Sequence, residues 1–479
     1  MQIHNKTISL YGVLLLLGIA LLGVNLNGYD LTKTTEPRVA GITAEMLISG
    51  DYVVPKLSGT PFLEKPPFSV WLESFAMRYF GINAAAARLP SVLAGLITAF
   101  FLMFGVHRLG FSLRRGFITA LLLLTMGQFW ANARMASEDM LVTCGIAISL
   151  LSFFIATEKK AYIFWCVYAF GLTVATLSKG VVGLAIPGVV IAVYLIALTF
   201  FIDKKFVLQQ WFLPALFAFF ALLPLMLWLF FLHQNLGWSA VYDVVWGNSV
   251  GRFSGDFAGD AHNEPFYYYL KKLPELFLPW TLLVVFAGWQ QYKHGQSDRT
   301  GFFYSCWLVV TFILLSISSG KRQVYLVYCY PAAALLAAHH FDALLLRTKP
   351  IYTRVSVAVM LLVIGSYIIF AQYFLPNQDK KSSLRPLFES AQKLREQGYQ
   401  LILFQPSEKV AGASTFYLHD ILPVEMDSNM LTRNLQQNPK TMGLVAGDTF
   451  NVDQLQVLAR FEDHRRSYYL VGKKPTANQ

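Results

Sequence analysis

An acid and a base stand side by side in the segment FLEKPP at residues 62–67, where Glu64 precedes Lys65. As a surface ion pair the two side chains would contribute about 0–1 kcal/mol, which gives no reason to place them among apolar stretches. Pro66 and Pro67 fix the backbone direction and pre-position both side chains. A lysine can hold a phosphate as a point charge, and a glutamate can bind a metal or orient another group. We therefore predict that Glu64 and Lys65 are functional residues.

A second polar turn, RMASED at residues 134–139, separates two apolar stretches. Ser137 or Asp139 would cap the helix that follows, which explains one polar residue structurally. A turn this short needs no second acid, and an aspartate at the membrane rim can act as a general base or stabilise positive charge on a sugar. We predict that Asp139 is catalytic, with Glu138 as the second candidate.

The segment TEPR at residues 35–38 has the form of a helix start, since a proline fits the first turn and an acid suits the helix dipole. We expect helices over 37–47 and 70–80 to lie along the membrane face. Glu36 and Arg38 would then rim a cavity that faces the lipid boundary.

Cations recur in two further polar turns, at Lys179 in SKG and at Lys321 and Arg322 in SGKRQVY. Lys179 has a complete structural explanation as a lysine that reaches the membrane surface from a glycine-terminated helix. Lys321 and Arg322 break the positive-inside trend, and an anion bound nearby would explain them. His262 in HNEP is a single loop histidine, a type that is more often a surface residue than a metal ligand.

Long apolar stretches must position these turns. Hydrophobic residues make up 55% of the chain, charged residues 14%, and the mean hydropathy is +0.47. A spanning helix needs roughly 20 apolar residues, and many stretches reach that length. The expected fold is a polytopic α-helical membrane protein with eleven spans, 11 to 13 being allowed. The spans are expected near residues 7–26, 87–106, 116–133, 139–157, 161–177, 181–201, 211–233, 267–290, 302–318, 324–345 and 351–375.

Lys and Arg residues between the spans collect on one side, which the positive-inside rule makes cytoplasmic. The first apolar run lacks a small-residue cleavage site, so we expect a retained anchor. An odd span count places the insert 27–86, the loop 234–266 and the tail on the extracytoplasmic face. We therefore expect a transmembrane domain over 1–376 and a small soluble extracytoplasmic domain over 377–479.

The tail has the composition of a small α/β domain. Apolar residues at helical spacing over 384–394 predict a helix, and Gln400–Phe404 and 468–471 predict strands. Asn451 is expected to cap a helix that runs through Arg460. The net charge of the chain is +11, and the 13 basic and 11 acidic residues of the tail supply only +2 of it. The remaining positive charge reflects membrane topology and is not the footprint of a nucleic-acid-binding protein.

Six motifs taken together resemble the bacterial aminoarabinose lipid A transferases. These transferases belong to the C-type superfamily of polyprenyl-phosphate-dependent glycosyltransferases, which includes the protein mannosyltransferases. In order over residues 28–332, the motifs are TEPR, FLEKPP, SED, LSKGVVGLAIP, HNEPFYYY and SGKRQVY. The resemblance implies an enzyme of the bacterial inner membrane. The expected topology places its active site on the periplasmic side, and we expect a monomer.

The resemblance also implies roles for individual residues. By this resemblance, the residues that bind the lipid phosphate of the donor are Lys65, Arg38, Lys321, Arg322, Lys179 and Tyr325. Glu64 and His262 would bind a zinc-like divalent metal. Of two family acids in the catalytic cavity, one maps to Asp139. The other is an aspartate in the family motif DETR, where this chain has Thr35, so that Glu36 is the candidate replacement.

The implied reaction transfers a sugar, with inversion, from an undecaprenyl-type phosphate to lipid A or another lipopolysaccharide component. The alternative acceptors are a protein hydroxyl or another surface glycan. A lipid or sugar transporter is the alternative of a different class. Transporters carry charges near mid-span and internal repeats, whereas these charges cluster at span ends and no duplicated halves are evident.

Overall fold

Two compact units make up the chain in the computed structural model, which describes residues 2–32, 35–251, 264–379, 382–447, 455–463 and 466–473. The first unit contains Met1–Val24, Leu63–Ser69 and Ser91–Ile368. The second contains Asn25–Phe62, Val70–Pro90 and Ile369–Gln479. Most of the insert thus belongs to one unit with the tail, and the division into 1–376 and 377–479 stays a prediction.

Fifteen helices cover the described residues up to Ile369. Their bounds are α1 (Gln2–Gly23), α2 (Thr35–Ser49), α3 (Phe68–Phe80), α4 (Ala84–Arg108), α5 (Leu113–Leu124), α6 (Gly127–Ala133), α7 (Asp139–Lys159), α8 (Ile163–Lys179), α9 (Val181–Ile196), α10 (Leu208–Tyr242), α11 (Tyr268–Leu276), α12 (Thr281–His294), α13 (Arg299–Ile317), α14 (Tyr330–Arg347) and α15 (Pro350–Ile369). Wider π-type turns at Ala197–Ile202, Asp243–Val250 and Phe370–Phe374 extend α9, α10 and α15, and Gln323–Cys329 forms a 3₁₀ helix before α14.

Seven of these helical segments are long and apolar enough to cross a membrane, or eight if α5 and α6, bent by 73°, form one span. Two shorter apolar helices, Ser9–Gly23 and Ile163–Lys179, also match expected spans. The protein is therefore a polytopic membrane protein, and the expected number of eleven spans is not confirmed among the described residues.

The single span expected over 267–290 is wrong, because α11 ends at Leu276 and α12 begins at Thr281. Pro279 lies in the break, where a proline supplies no backbone donor and disfavours helical geometry in the residue before it.

Close packing of α7 against α8 defines the geometry of one end of the first unit. Residues 160–162 connect the two helices, which therefore run antiparallel. A Cβ on Gly145 would lie 2.5 Å from the backbone oxygen of Gly171, so the two backbones are in direct contact. Small residues permit this approach between apolar helices. The first residue of α7 and the last residue of α8 consequently lie at the same end.

In the second unit, the insert contributes α2, α3 and a short hairpin of β1 (Lys56–Leu57) and β2 (Thr60–Pro61). The described residues of the tail form four helices and a five-stranded sheet. The helices are α16 (Leu375–Asp379), α17 (Arg385–Glu396), α18 (Glu408–Leu418) and α19 (Ser428–Gln437), and the strands are β3 (Gln400–Phe404), β4 (Val424–Glu425), β5 (Thr441–Ala446), β6 (Gln456–Asp463) and β7 (Arg466–Gly472). The sheet order is β4-β3-β5-β7-β6, with β3 parallel to β4 and β5, and β7 antiparallel to β5 and β6.

The predicted helix near 384–394 and the strands at Gln400–Phe404 and 468–471 are confirmed by α17, β3 and β7. The helix expected from Asn451 through Arg460 is wrong, because its described part lies in strand β6. The sequence QVLAR has good helix propensity, but pairing with β7 from Gln456 to Asp463 decides its conformation. Residue 451 itself lies outside the described residues.

The two insert helices differ in their surroundings. Residues 36–46 of α2 are all buried, because α18 packs against this helix, and a Cβ on Gly41 would lie 2.3 Å from the Cα of Gly412. Protein therefore covers α2, and its expected position along the membrane face stays a prediction. In contrast, α3 exposes Phe75, Tyr79 and Phe80, which suits a helix at an apolar interface.

Candidate functional site

A buried ion pair joins the start of α7 to the end of α8. Lys179 Nζ donates a hydrogen bond to Asp139 Oδ1 at 2.5 Å, and both side chains are less than a tenth exposed. Gly180, with φ +60°, ends α8 and allows α9 to begin at Val181. The pair satisfies both buried charges, so the explanation of Lys179 as a lysine extended to a membrane surface does not hold.

Two tyrosines of the 3₁₀ helix Gln323–Cys329 surround the same lysine. Because a 3₁₀ helix has three residues per turn, Tyr325 and Tyr328 lie on one face of it. Lys179 Nζ lies 4.1 Å from the ring centroid of Tyr325 and donates to Tyr328 Oη at 2.9 Å. Tyr328 Oη in turn donates to Asp139 Oδ1 at 2.6 Å. The cation is thus held by a carboxylate, a hydroxyl and an aromatic face.

The neighbouring acid makes a second ion pair. Lys65 Nζ contacts the carboxylate of Glu138, whose side chain is 4% exposed, while 19% of the Lys65 side chain is exposed. Consecutive residues of one turn, Glu138 and Asp139, therefore each hold a lysine from a different part of the chain. The sequence-predicted residues Lys65, Glu138, Asp139 and Lys179 are brought together as two such pairs in the first unit.

Arg134 fixes the turn that carries both acids. Its guanidinium donates to the backbone oxygens of Leu21, Leu22 and Val24, where α1 ends, and it lies over the ring of Trp130. Helix ends leave carbonyl groups without intrahelical partners, and a buried arginine can satisfy several of them. Arg134 is 1% exposed, so the role of this residue is structural.

The cationic turn at Lys321 is held by backbone groups. Lys321 Nζ donates to the carbonyl oxygens of Glu264 at 2.8 Å and Ser318 at 2.5 Å. Burial lowers the pKa of Lys321 below its ordinary value, and the Glu264 carboxylate opposes that shift. Tyr269 Oη donates to the Arg322 carbonyl and accepts from the Arg322 N–H, so a buried tyrosine fixes the backbone at that position.

In the second unit, Glu36 forms a buried two-point ion pair with Arg88. The distances are 2.8 Å from Arg88 Nε to Glu36 Oε1 and 3.1 Å from Nη2 to Oε2. Arg88 also donates to the carbonyls of Leu26, Tyr29 and Asp30, and it is fully buried. This arrangement gives Glu36 a structural function, and its predicted catalytic role stays a prediction.

Arg38 pairs with an acid from the tail. Arg38 Nη1 donates to Glu408 Oε2 at 2.7 Å, and its guanidinium carbon lies 5.3 Å from the ring centroid of Phe62. The Glu408 side chain is 45% exposed, so solvent screens this pair. Binding of a lipid phosphate by Arg38 stays a prediction.

The metal ligands expected from the sequence are Glu64 and His262, and His262 lies outside the described residues. Within the described ranges, Asp298, His339 and His340 place possible ligand atoms within 4.8 Å of one another. Arg115 Nη1 lies 3.3 Å from His339 Nδ1, and His339 Nε2 lies 2.6 Å from Asp298 Oδ2. If Arg115 donates to Nδ1, Nε2 carries the proton and cannot bind a metal.

Asp298 is better explained as part of a polar network. It caps α13 by accepting from the Gly301 N–H. Burial raises the pKa of Asp298, but several effects, of which the hydrogen bond from His339 is the largest, together outweigh burial and lower the pKa to about 2.

Comparisons with known proteins agree with the motifs. A family model described as dolichyl-phosphate-mannose-protein mannosyltransferase matches residues 64–228. An arabinosyl transferase of Proteus mirabilis, named for undecaprenyl phosphate-alpha-4-amino-4-deoxy-L-arabinose, is 27% identical over 349 residues, covering 71% of this chain and 61% of that protein. A transferase of the same name from Sodalis glossinidius is 29% identical over 324 residues, covering 66% and 56%. The chain is thus similar to glycosyltransferases that are named for dolichyl phosphate-linked and undecaprenyl phosphate-linked sugars.

The fold of the chain also has a solved counterpart. The crystal structure of ArnT from Cupriavidus metallidurans bound to undecaprenyl phosphate superposes with a TM-score of 0.75 at 19% identity, covering 98% of this chain and 99% of that one. At that identity the likeness concerns the fold. The chain spans only 61% and 56% of the length of the two arabinosyl transferases that it matches.

Sequence reasoning missed four residues that contact predicted site residues or fix their turns. They are Arg88, Arg134, Tyr328 and Glu408. Arg88 and Arg134 sit within or beside apolar stretches, and such charges are rare enough to serve as a signal. No local signal distinguishes Tyr328 from the neighbouring tyrosines, or Glu408 from other helix-start acids.

Proposed function

We propose that this chain is a glycosyltransferase that moves a sugar from a polyprenyl phosphate carrier to an extracytoplasmic acceptor. The relatives named above are arabinosyl transferases of an undecaprenyl phosphate-linked sugar, which supports an undecaprenyl-type donor. We further propose lipid A or another lipopolysaccharide component as the acceptor, with a protein hydroxyl or another surface glycan as the alternative. The motif turns would face the periplasm, and the enzyme would act as a monomer.

The two adjacent ion pairs, Lys65 with Glu138 and Lys179 with Asp139, carry this proposal. Sugar transfer with inversion needs a cation where the phosphate leaves and a carboxylate where the acceptor loses its proton. Both kinds of group are present, since two carboxylates at consecutive residues of one turn are each paired with a lysine. Lys65 is the more exposed of the two lysines, so we assign the donor phosphate to Lys65.

The reaction would proceed as one displacement. The acceptor oxygen attacks the anomeric carbon, and the bond from that carbon to the phosphate oxygen breaks. The electron pair leaves on the polyprenyl phosphate, whose added negative charge Lys65 stabilises. The acceptor proton passes to a carboxylate, for which Asp139 is our first candidate and Glu138 our second. The configuration at the anomeric carbon inverts because attack and departure occur on opposite faces.

We propose that donor binding also affects Glu138, the partner of Lys65. A phosphate that takes the ammonium of Lys65 competes with the Glu138 carboxylate for the same three N–H donors. Donor binding would therefore weaken the Lys65–Glu138 ion pair.

Substitution in reconstituted membranes tests the proposal. We expect Lys65→Ala and Asp139→Asn each to abolish sugar transfer, with the transfer rate reduced about 100-fold or more, while the protein stays folded. Lys272→Ala serves as the matched control, since Lys272 forms a partly exposed pair with Glu275 and loss of that pair costs about 0–1 kcal/mol. Full turnover in both site variants would overturn the mechanism.

The acceptor is identified separately, by mass spectrometry of lipid A, surface glycans and glycoproteins from cells with and without the gene. A sugar lost from lipid A alone supports the first acceptor. A sugar lost from protein or from another glycan selects the alternative.

A further inference from the structure

The hydroxyl of Tyr328 lies between the two charged groups of the α7–α8 ion pair. It accepts a hydrogen bond from Lys179 Nζ at 2.9 Å and donates one to Asp139 Oδ1 at 2.6 Å. The side chain is fully buried. Lysine, tyrosine and aspartate thus form a closed set of three hydrogen bonds, since Lys179 also donates to Asp139 Oδ1.

Both donors reach the same carboxylate oxygen. Lys179 Nζ and Tyr328 Oη each bond to Oδ1 of Asp139, and in the described part of the chain no donor bonds to Oδ2. Rotation of the carboxylate would break two hydrogen bonds at once. A charged hydrogen bond contributes about 1.5–3 kcal/mol, so this rotation is strongly disfavoured. Oδ1 is therefore occupied by the protein, and Oδ2 remains for a substrate.

We propose that Tyr328 is a positioning residue that, together with Lys179, orients Asp139 so that Oδ2 receives the acceptor proton. The inference rests on the proposed glycosyltransferase function. It also moves Lys179 from the donor phosphate, where the resemblance places it, to the acceptor side of the reaction. A misplacement of about 1 Å at a catalytic group costs roughly 100-fold in rate, so fixing this carboxylate has a kinetic consequence.

A neighbouring tyrosine shows what a purely structural phenol does here. Tyr330, two residues further on, is equally buried, but its hydroxyl donates to the neutral backbone oxygen of Leu276 at 2.7 Å. Both tyrosines fill apolar space with one polar atom. Of these two hydroxyls, that of Tyr328 bonds to both members of an ion pair and that of Tyr330 does not. A loss of rate seen in Tyr328→Phe but not in Tyr330→Phe would therefore come from the position of Asp139 and not from packing.

The test compares Tyr328→Phe with Tyr330→Phe, purified in lipid nanodiscs and assayed with an undecaprenyl phosphate-linked aminoarabinose and lipid A. We expect kcat to fall about 10- to 100-fold in Tyr328→Phe, with the KM for the donor changed less than about 2-fold. Tyr330→Phe should retain kcat within about 3-fold, since it loses one neutral hydrogen bond. Equal kcat losses in both variants, or none in Tyr328→Phe, would overturn the proposal.

Two further variants keep the result interpretable. Tyr328→His retains a ring N–H donor and should recover part of the lost kcat, and it replaces Tyr328→Phe if that variant does not fold. Because Tyr328 acts through Asp139, adding Tyr328→Phe to Asp139→Asn should cost little further rate. An additive loss contradicts positioning. If the wild type transfers no sugar from any polyprenyl-linked donor, the proposed function fails; if only the Tyr328 variants behave as wild type, the inference alone fails.

Discussion

Replacing Arg88 with methionine separates a structural role of Glu36 from a catalytic one. Arg88 is fully buried, donates twice to Glu36 and bonds three backbone carbonyls. Loss of one partner from a buried pair leaves the other charge uncompensated and costs about 3–5 kcal/mol. For a unit of this size, each kcal/mol of lost stability lowers the melting temperature by about 2–4 °C. The melting temperature of the second unit should therefore fall by about 6–20 °C.

The assay is thermal unfolding in nanodiscs, combined with sugar-transfer rates, for Arg88→Met, Glu36→Gln and the double variant. Contacting residues couple, so the double variant should be more stable than the sum of the single losses predicts, by about 2–3 kcal/mol. Arg78→Met is the control, because Arg78 is an exposed arginine of α3. If Glu36→Gln abolished transfer at an unchanged melting temperature, Glu36 would be catalytic and the structural argument refuted.

Two other predictions concern the helix crossing and the metal. Gly412→Ala would place a Cβ 2.2 Å from the Pro37 backbone oxygen, so we expect the packing of α18 on α2 to lose about 1–3 kcal/mol of stability and the α18 amides to exchange hydrogen faster. Gly288→Ala is the control, because a Cβ at Gly288 would meet nothing within 4 Å. Unchanged exchange in α18 would contradict close packing of α2 and α18. If Glu64 and His262 hold a divalent metal, chelation or His262→Ala should weaken donor binding, measured with purified protein; unchanged binding together with no metal found by elemental analysis would reject the site.

The charged turns were predictable because their signals are local. Glu138 and Asp139 in an apolar chain mark a turn at a membrane surface whatever the rest of the fold does. The partners of these acids were not predictable in the same way. Lys65 is 73 residues from Glu138, and Glu408 is 370 residues from Arg38. Such pairs depend on which helices pack together, and no local pattern records that.

The tail shows the same limit for secondary structure. The helix α17 and the strand β3 follow from local periodicity, and both are confirmed. The strand β6 has helix-forming residues, yet it pairs along its length with β7, and tertiary pairing outweighs a propensity of a few tenths of a kcal/mol per residue. The burial of α2 is a further case, because the covering helix α18 lies far along the chain.

The sequence by itself determined that this is a polytopic membrane protein with charged turns, and its motifs indicated which glycosyltransferases it resembles. Those properties depend on composition and on residues that are close in the chain. Only the tertiary structure decided that Lys179 holds Asp139, that Tyr328 bridges them and that Glu36 is bound by Arg88. The physical reason is that a buried charge must find a partner, and helix packing alone determines which partner is within reach.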